Sequence, residues 1–454
     1  TIGPVSGHKN LNKLLNKSDF IRLNMSHNTF DWHKSMIDKI KKLDKNKLIL
    51  VDIPGVKPRT LNGDDIKISK GQKVSFSYNK KSKKNIHLSN PLPKIELKPK
   101  TFSLSDGSFE FKFTSFKNET LTGISLQDFI LKPKKGLNVP FSKYNNFLQE
   151  KVYISFLKKI KSLKFDFVGL SFIQDSKVLK KLKKKYPEKL FISKIENFLG
   201  YKNRKEIIRY SDAVMIDRGD LAAEVGLSNL TDYSDRIIND CNLFGKPVII
   251  ATENLNSLMT DKIPSKGDVT NLDYYISKNA DFLMLSDETA TSKNWLNTLN
   301  WLNTYLKKKL KNFKATSAIS IEDTIKNFKD QTLVVFSKKG YFFKKISSLK
   351  FRKLIFFTEN EKLAKVIRLK KNFTSFVVKY PKKSIDTFLY KNIKKNLKSI
   401  FDKNINAYLI NVIFPRKNSR ANSISIIEKK DFQKWVEIIK EFGFLDYLGV
   451  EKHS

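Results

Sequence analysis

Residues 190–196 read Leu-Phe-Ile-Ser-Lys-Ile-Glu, and residues 213–220 read Ala-Val-Met-Ile-Asp-Arg-Gly-Asp. Each is a short apolar run that ends in charged residues. A run without polar alternation suits a strand buried on both faces, which is the environment of a parallel sheet. The same form recurs at Phe20–Asn24 (FIRLN), Leu48–Ile53 (LILVDI), Phe165–Phe172 (FDFVGLSF), Pro247–Thr252 (PVIIAT) and Phe282–Thr289 (FLMLSDET). Lysine-rich helical patterns such as Val178–Lys185 and Tyr233–Cys241 separate these runs. Strand alternating with helix predicts an α/β fold with a parallel sheet covered by helices. The opening Thr1-Ile2-Gly3-Pro4 reads as the tail of a further strand whose upstream residues are trimmed away. With it the units number about eight, which predicts a closed (β/α)8 TIM barrel.

Two regions leave this rhythm. Residues 60–130 hold short alternating runs (Lys73–Phe76, Phe109–Phe113) and turn pairs (Asn62-Gly63, Asp106-Gly107) with no helical pattern. They predict a small all-β domain inserted into a barrel made of residues 1–59 and 131–313. From residue 314 to 454 an α/β rhythm resumes at Thr332–Phe336, Lys353–Phe357 and Ala407–Ile413, which predicts a separate C-terminal α/β domain.

Composition narrows the function classes. The 454 residues carry 87 Lys and Arg against 45 Asp and Glu, a formal net charge of +42. A hydrophobic share of 40% with 35 Phe excludes a disordered chain. The single cysteine, Cys241, excludes an internal disulfide and a thiolate-rich metal site, and reads as a small buried hydrophobe. The lysines are spread along the whole chain rather than gathered on one element with stacking aromatics, so a nucleic-acid partner is not expected. No apolar run approaches the ~18 residues of a membrane span, and no charged-then-apolar leader opens the chain. A soluble cytoplasmic protein with no membrane partner is the expectation.

Barrels of this kind gather their functional groups where the strands end. The strand-end polar residues are Arg22, Asn24, Ser26, Asp52, Ser171, Lys194, Glu196, Asp220, Thr252, Ser286 and Glu288. One Lys, one Arg, several carboxylates and several hydroxyls suit a hard divalent cation and an anionic substrate better than zinc or acyl-transfer chemistry. Glu196 and Asp220, on adjacent strands, are placed to hold Mg²⁺, while Lys194 and Arg22 neutralise phosphate oxygens. No GxxxxGK[ST] loop, HExxH or paired cysteines are present.

The segments TIGPVS (Thr1–Ser6), RLNMSH (Arg22–His27), VDIPGVKPR (Val51–Arg59) and KKGLNVP (Lys134–Pro140) carry a family pattern, in order and spacing. So do ISKIEN (Ile192–Asn197), RGDLAAEVG (Arg218–Gly226), GKPVIIAT (Gly245–Thr252) and MLSDETA (Met284–Ala290). In these the chain resembles the pyruvate kinase family. The resemblance implies phosphoryl transfer from phosphoenolpyruvate to ADP, giving pyruvate and ATP in glycolysis, with Mg²⁺ or Mn²⁺ as cofactor. It implies that Lys194 stabilises the moving phosphoryl group, that Arg22 holds it, and that Glu196 and Asp220 bind the divalent metal. Thr252 would bind the substrate carboxylate with backbone N–H groups of Gly219 and Asp220, and Ser286 would serve protonation of the enolate. Pro4, Arg22, Asn24, His27, Arg59 and Lys135 would line the nucleotide site. Asn24, Ser26 and Asp52 match ligands of the family's monovalent cation, and a cytoplasmic homotetramer is implied.

Several positions depart from the pattern. Ile53 stands where many members carry Thr, and Lys57 where potassium-dependent members carry Glu. Two readings of Lys57 stay open: its ammonium takes the place of the monovalent ion, so that K⁺ is not required, or it is one more solvated lysine. Gln174 replaces Arg, Asp287 and Ala222 replace Gly, and Pro264–Asp268 lacks the usual Glu. Ser337-Lys338-Lys339-Gly340 occupies the place of an effector-phosphate loop without its Arg, which argues against sugar-phosphate activation. Two other functions stay open: a Mg²⁺-dependent aldolase or lyase acting through pyruvate enolate, and a non-catalytic regulatory or nucleic-acid-binding descendant.

Overall fold

The computed structural model describes residues 1–78, 85–311, 332–340, 342–349, 351–381, 385–401, 406–411 and 423–428. It divides into two compact units, Thr1–Tyr305 and Leu306–Ser454. The expected boundary at 313–314 lies outside the described residues.

In the first unit, seven parallel strands follow one another in sequence order: Phe20–Asn24, Leu48–Ile53, Phe167–Leu170, Leu190–Ile195, Ala213–Asp217, Val248–Ala251 and Phe282–Leu283. The opening residues take the remaining place in the ring. Ile2 N–H donates to the Arg22 carbonyl at 3.0 Å, beside the first strand. The Thr1 nitrogen donates to the Leu285 carbonyl at 2.8 Å, beyond the last. The predicted (β/α)8 TIM barrel is therefore the observed fold.

Alternation along the strands sorts core from site. Ile195, Val214, Ile216, Val248 and Ile250 pack in one buried cluster with Ile237, Ile238 and Cys241 of the helix Leu230–Leu243. Successive side chains of a strand point to opposite faces, so Lys194, Met215, Asp217 and Ile249 turn toward the barrel axis. The covering helices start where polar side chains can accept their first N–H groups. Thr29 accepts from Trp32 N–H to begin Phe30–Leu43, and Asp175 accepts from Lys177 N–H to begin Ser176–Lys185.

The insertion is all-β, as its turn pairs predict. Its main sheet runs in the order Leu137–Asn138, Thr101–Leu104, Phe109–Lys117, Thr120–Ser125, Lys73–Ser77, Ile86–His87. Phe76, Phe102 and Phe111 form its core with Leu121, and the rings of Phe102 and Phe111 stack at 5.1 Å. Pairing of Leu137–Asn138 with Ser103–Leu104, and of Ser142–Lys143 with Lys94–Ile95, extends the insertion's sheets beyond residue 130. The sequence boundary falls short because these closing strands are two residues long and carry no alternation to read. At Ser105-Asp106-Gly107 all three residues have positive φ, which makes a tight turn that projects Asp106.

The second unit holds a five-stranded sheet in the order Phe373–Val377, Lys353–Thr358, Thr332–Phe336, Asn406–Asn411, Ser423–Glu428. All neighbours are parallel except the last pair. The turn Ser337–Gly340 follows the central strand and closes through Gly340 N–H to the Ser337 carbonyl at 3.0 Å. Its Lys338 lies 3.7 Å from Glu359.

Candidate active site

Lys194 is the last residue but one of the strand Leu190–Ile195, and four oxygens lie within 3.4 Å of its ammonium. Asp52 Oδ2 is at 3.4 Å, Glu196 Oε2 at 3.1 Å, Asp217 Oδ2 at 3.2 Å and Ser171 Oγ at 3.2 Å. These groups come from the ends of the strands carrying residues 52, 171, 194–196 and 217, so the barrel converges them on one point. Burial opposes the lysine's charge, but the three carboxylates outweigh it and hold the pKa above the usual lysine value. Burial pushes the Glu196 carboxyl well above the usual carboxylate range, with Asp217 and Asp220 adding to the rise against Lys194.

Asp52 is held in place from several sides. Its Oδ2 accepts from Arg22 Nε and lies 2.8 Å from Nη2, while Oδ1 accepts from the Ser171 hydroxyl at 3.2 Å. Burial works to raise its pKa, yet Lys194 and Arg22 leave it lowered. Gly169 makes room for this carboxylate, since a Cβ there would stand 2.9 Å from Asp52 Oδ1.

A second cation, Lys57, is buried rather than solvated, which corrects the reading of it as a surface lysine. Its ammonium pairs with Asp220 and, at 2.7 Å, with Asp106 from the turn of the inserted domain. It does so in a slot left by Gly136, where a Cβ would come within 2.5 Å of Lys57 Cε. These partners belong to the divalent-metal carboxylate and the insertion, not to the set Asn24, Ser26 and Asp52. Lys57 holds Asp106 at about 2, while burial pushes Asp220 up to about 6 despite the lysine. Asn138 Nδ2 also donates to Asp220, at 3.1 Å.

Thr252 follows the strand Val248–Ala251 with φ +69, and Glu253 with φ +52. A β-branched residue in this region is strained, and the guanidinium of Arg218 secures it. Arg218 donates to the carbonyls of Ala251 (3.1 Å) and Thr252, and to the side chains of Asn254 (3.2 Å) and Asn271 (2.5 Å). The loop so fixed aims the Thr252 hydroxyl at Asp217 Oδ1, 2.5 Å away. Phe172 also has positive φ (+61), and its N–H donates to Glu196 Oε1 at 2.7 Å.

Asp217 and Arg218 were not singled out from sequence. Both sit inside a motif whose Asp220 drew the attention, and the available signal was only position: Asp217 is the last residue of its strand. Glu196, Asp217 and Asp220 each offer an oxygen within 4.8 Å of the others, which makes a three-carboxylate cluster where two were expected.

The remaining candidates lie around this centre. Gly219 approaches Thr252 closely, since a Cβ there would stand 3.2 Å from Thr252 Cγ2. Asn24 accepts from Ser26 N–H at 3.0 Å and pairs in strand register with Asp52. Arg59 donates to the Lys134 carbonyl at 3.2 Å, and Lys135 N–H to Thr60 Oγ1 at 3.1 Å, so both sit where the chain enters and leaves the insertion. Burial lowers the pKa of His27, with the charges of Arg59 and Arg22 acting in the same direction. Pro4 lies in the turn after the opening segment. Ser286 N–H donates to Glu288 Oε2 at 2.6 Å, and Glu288 Oε1 accepts from Asn254 N–H at 3.0 Å. Glu288 is thus a loop tie rather than a free carboxylate. Gln174 is likewise structural, bonding Tyr144 and Asn146.

A family model described as the pyruvate kinase barrel domain matches residues 1–298. The chain belongs to the pyruvate kinase family. A curated pyruvate kinase from Thermococcus litoralis is 32% identical over 308 residues, covering 64% of this chain and 65% of that protein. One from Methanocaldococcus jannaschii is 28% identical over 315 residues, 67% of each. One from Staphylococcus epidermidis is 33% identical over 313 residues, 64% of this chain and 53% of its own. The matches thus span about half to two thirds of those relatives. The crystal structure of a pyruvate kinase from Cryptosporidium parvum shares the fold with a TM-score of 0.78 at 20% identity, covering 94% of both chains.

In the ion-paired network three cations, Arg22, Lys57 and Lys194, face five carboxylates, Asp52, Asp106, Glu196, Asp217 and Asp220. Five carboxylates against three cations leave surplus oxygen donors, the ligands a hard divalent cation prefers, and such an ion would offset the crowding that raises Glu196 and Asp220. The buried Glu196 Oε2 has no hydrogen-bond partner, although Lys194 lies near it, so it retains a lone pair for such an ion.

Proposed function

We propose that this chain is a pyruvate kinase that transfers the phosphoryl group of phosphoenolpyruvate to ADP. The observation that carries the reading is Lys194, a buried ammonium at the barrel mouth within 3.4 Å of Asp52, Glu196 and Asp217, beside a carboxylate cluster fit for Mg²⁺. An aldolase or lyase would use the carboxylates but has no need of this lysine or of an inserted domain reaching the site through Asp106. A non-catalytic descendant would have no reason to keep them.

In this reading Glu196 and Asp220 hold Mg²⁺ or Mn²⁺, which supplies charge neutralisation for the phosphoryl group. An oxygen of the ADP β-phosphate forms the new P–O bond as the bond from phosphorus to the enolate oxygen breaks. Lys194 donates to the phosphoryl oxygens while their charge spreads, the task such transfers ask of a protein. Arg22, tied to Asp52, adds positive charge on the same side. Thr252 and the N–H groups around Gly219 orient the substrate carboxylate. The enolate then takes one proton, by the side of Ser286, and leaves as pyruvate. Asp106 brings the insertion onto the barrel mouth, which excludes water from the transfer.

Lys57 supplies a fixed positive charge next to Asp220, so the reading includes activity without added K⁺. It also includes a nucleotide site at Pro4, Asn24, His27, Arg59 and Lys135, a place in glycolysis, a cytoplasmic setting and the family's tetramer. Among the described residues no helix is long and apolar enough to cross a membrane. The test is ATP formation from ADP and phosphoenolpyruvate with Mg²⁺, read by luciferase. ATP that appears only when both substrates and the metal are present supports the reading; pyruvate release without ATP, or no turnover, refutes it.

A further inference from the structure

Lys194 Nζ donates to the Ser171 hydroxyl at 3.2 Å and is ion-paired with Asp52 at 3.4 Å, Glu196 at 3.1 Å and Asp217 at 3.2 Å. Its charge is therefore already faced by three carboxylates, and a substrate anion has to compete with them for it. The Thr252 hydroxyl has one proton, and it is directed at Asp217 Oδ1, 2.5 Å away. The two donors that the proposed function assigns to the substrate's anionic groups are thus both engaged by the same carboxylate.

The three carboxylates around Lys194 are not equally held. Asp52 is fixed by Arg22 and by the Ser171 hydroxyl. Glu196 is fixed by Phe172 N–H, and its side chain is 1% exposed. Asp217 is 15% exposed, and among the described residues its recorded hydrogen bond is the one from Thr252. A rotation of the Asp217 side chain releases the Thr252 hydroxyl and removes one of the three carboxylates facing Lys194, whereas moving Asp52 or Glu196 breaks buried bonds that no substrate replaces.

From this we propose that Asp217 is a gating and specificity residue: its carboxylate occupies the substrate-carboxylate subsite, and phosphoenolpyruvate binds by displacing it. The inference rests on the proposed function. Asp217 takes no part in bond making. Its negative charge competes with the substrate's for the same two donors, so it weakens anion binding and sets a threshold that only a ligand satisfying both Thr252 and Lys194 passes. A neutral or monoanionic analogue gains too little from the exchange.

The test is Asp217→Ala with Asp217→Asn as the near-isosteric companion, both checked by thermal melting. Phosphoenolpyruvate binding is measured by calorimetry on the Mg²⁺-loaded protein without ADP, and KM and kcat by ATP formation. The Ala variant should bind phosphoenolpyruvate at least fivefold more tightly and lower KM by a similar factor, with a smaller change in kcat. The Asn variant, which keeps an acceptor for Thr252 without the charge, should fall between. Unchanged or weakened binding in both variants, with wild-type turnover intact, overturns the gate and leaves the proposed function standing. A wild-type chain that makes no ATP and binds no phosphoenolpyruvate removes both.

Discussion

The Lys57 ammonium joins two carboxylates from different domains, Asp220 at the start of the helix Arg218–Val225 and Asp106 on the turn of the insertion. It is buried, and its pKa is raised because these two carboxylates outweigh the effect of burial. A protein-borne cation of this kind is present at any salt composition. Phosphoryl transfer by this chain should therefore proceed without K⁺. Replacing tetramethylammonium chloride with KCl at fixed ionic strength should change the rate by no more than about twofold, because only general screening is then in play. A large stimulation specific to K⁺ would contradict this.

The slot for Lys57 depends on Gly136. A methyl group there would lie 2.5 Å from Cε and 2.8 Å from Nζ, so Gly136→Ala should push the ammonium off Asp106 and Asp220. Overpacking of this sort costs about 1–3 kcal/mol. The decisive reading is coupling. Lys57→Gln and Gly136→Ala should each speed amide exchange in residues 104–108, and the double variant should be little worse than either single one, because both act through the same ion pair. Fully additive effects would separate Gly136 from Lys57.

Much of this was legible in the sequence, for a physical reason. Barrel strands such as Leu190–Ile195 and Ala213–Asp217 are buried on both faces, so their runs are unbroken and their ends abrupt, and the polar residues at those ends are placed by topology alone. Lys194, Glu196, Asp220 and Thr252 could be read in this way. What could not be read is pairing across distance. The choice of Asp106 and Asp220 as partners of Lys57, against a solvated side chain, depends on a turn about fifty residues away and on the missing Cβ of Gly136. Asp217 was hidden because strand periodicity says which way a side chain points, not which hydroxyl waits there. The left-handed backbone of Thr252, held by Arg218, has no signature in a Thr codon at all.

Lys194 should be separable from the metal site. In Lys194→Met the carboxylates of Glu196 and Asp220 remain, so Mn²⁺ binding followed by electron paramagnetic resonance should persist or tighten. Turnover should fall by roughly 10³-fold or more, in keeping with the loss of a preorganised charge at the transferring group. Near-normal ATP formation in this variant would refute the assignment of Lys194, and loss of Mn²⁺ binding would show that the lysine shapes the metal site as well.

Glu224 gives a prediction about stability alone. It is buried, with the Phe198 backbone and the Asn138 side chain beside its carboxyl, and the buried Asn138 Oδ1 lacks a donor. Burial, reinforced by Asp220, pushes its carboxyl from an ordinary 4.5 up to about 8. A protonated Glu224 has a proton for such a neighbour, and an ionised one does not. The sign follows from proton counts: between pH 4.5 and about 8 the folded chain keeps a proton that the unfolded chain has released, so stability falls as pH rises across that window. The full effect is on the order of 5 kcal/mol. Asp220, raised from 3.8 to about 6, tilts the curve the same way at its acid end, so the comparison must be with a variant rather than with a flat line. Urea unfolding at pH 5, 6.5 and 8 should show Glu224→Gln losing markedly less stability than the wild type, with the gap widest at pH 8. Parallel pH profiles for the two proteins would mean that Glu224 is ionised in the folded state and finds its partner elsewhere.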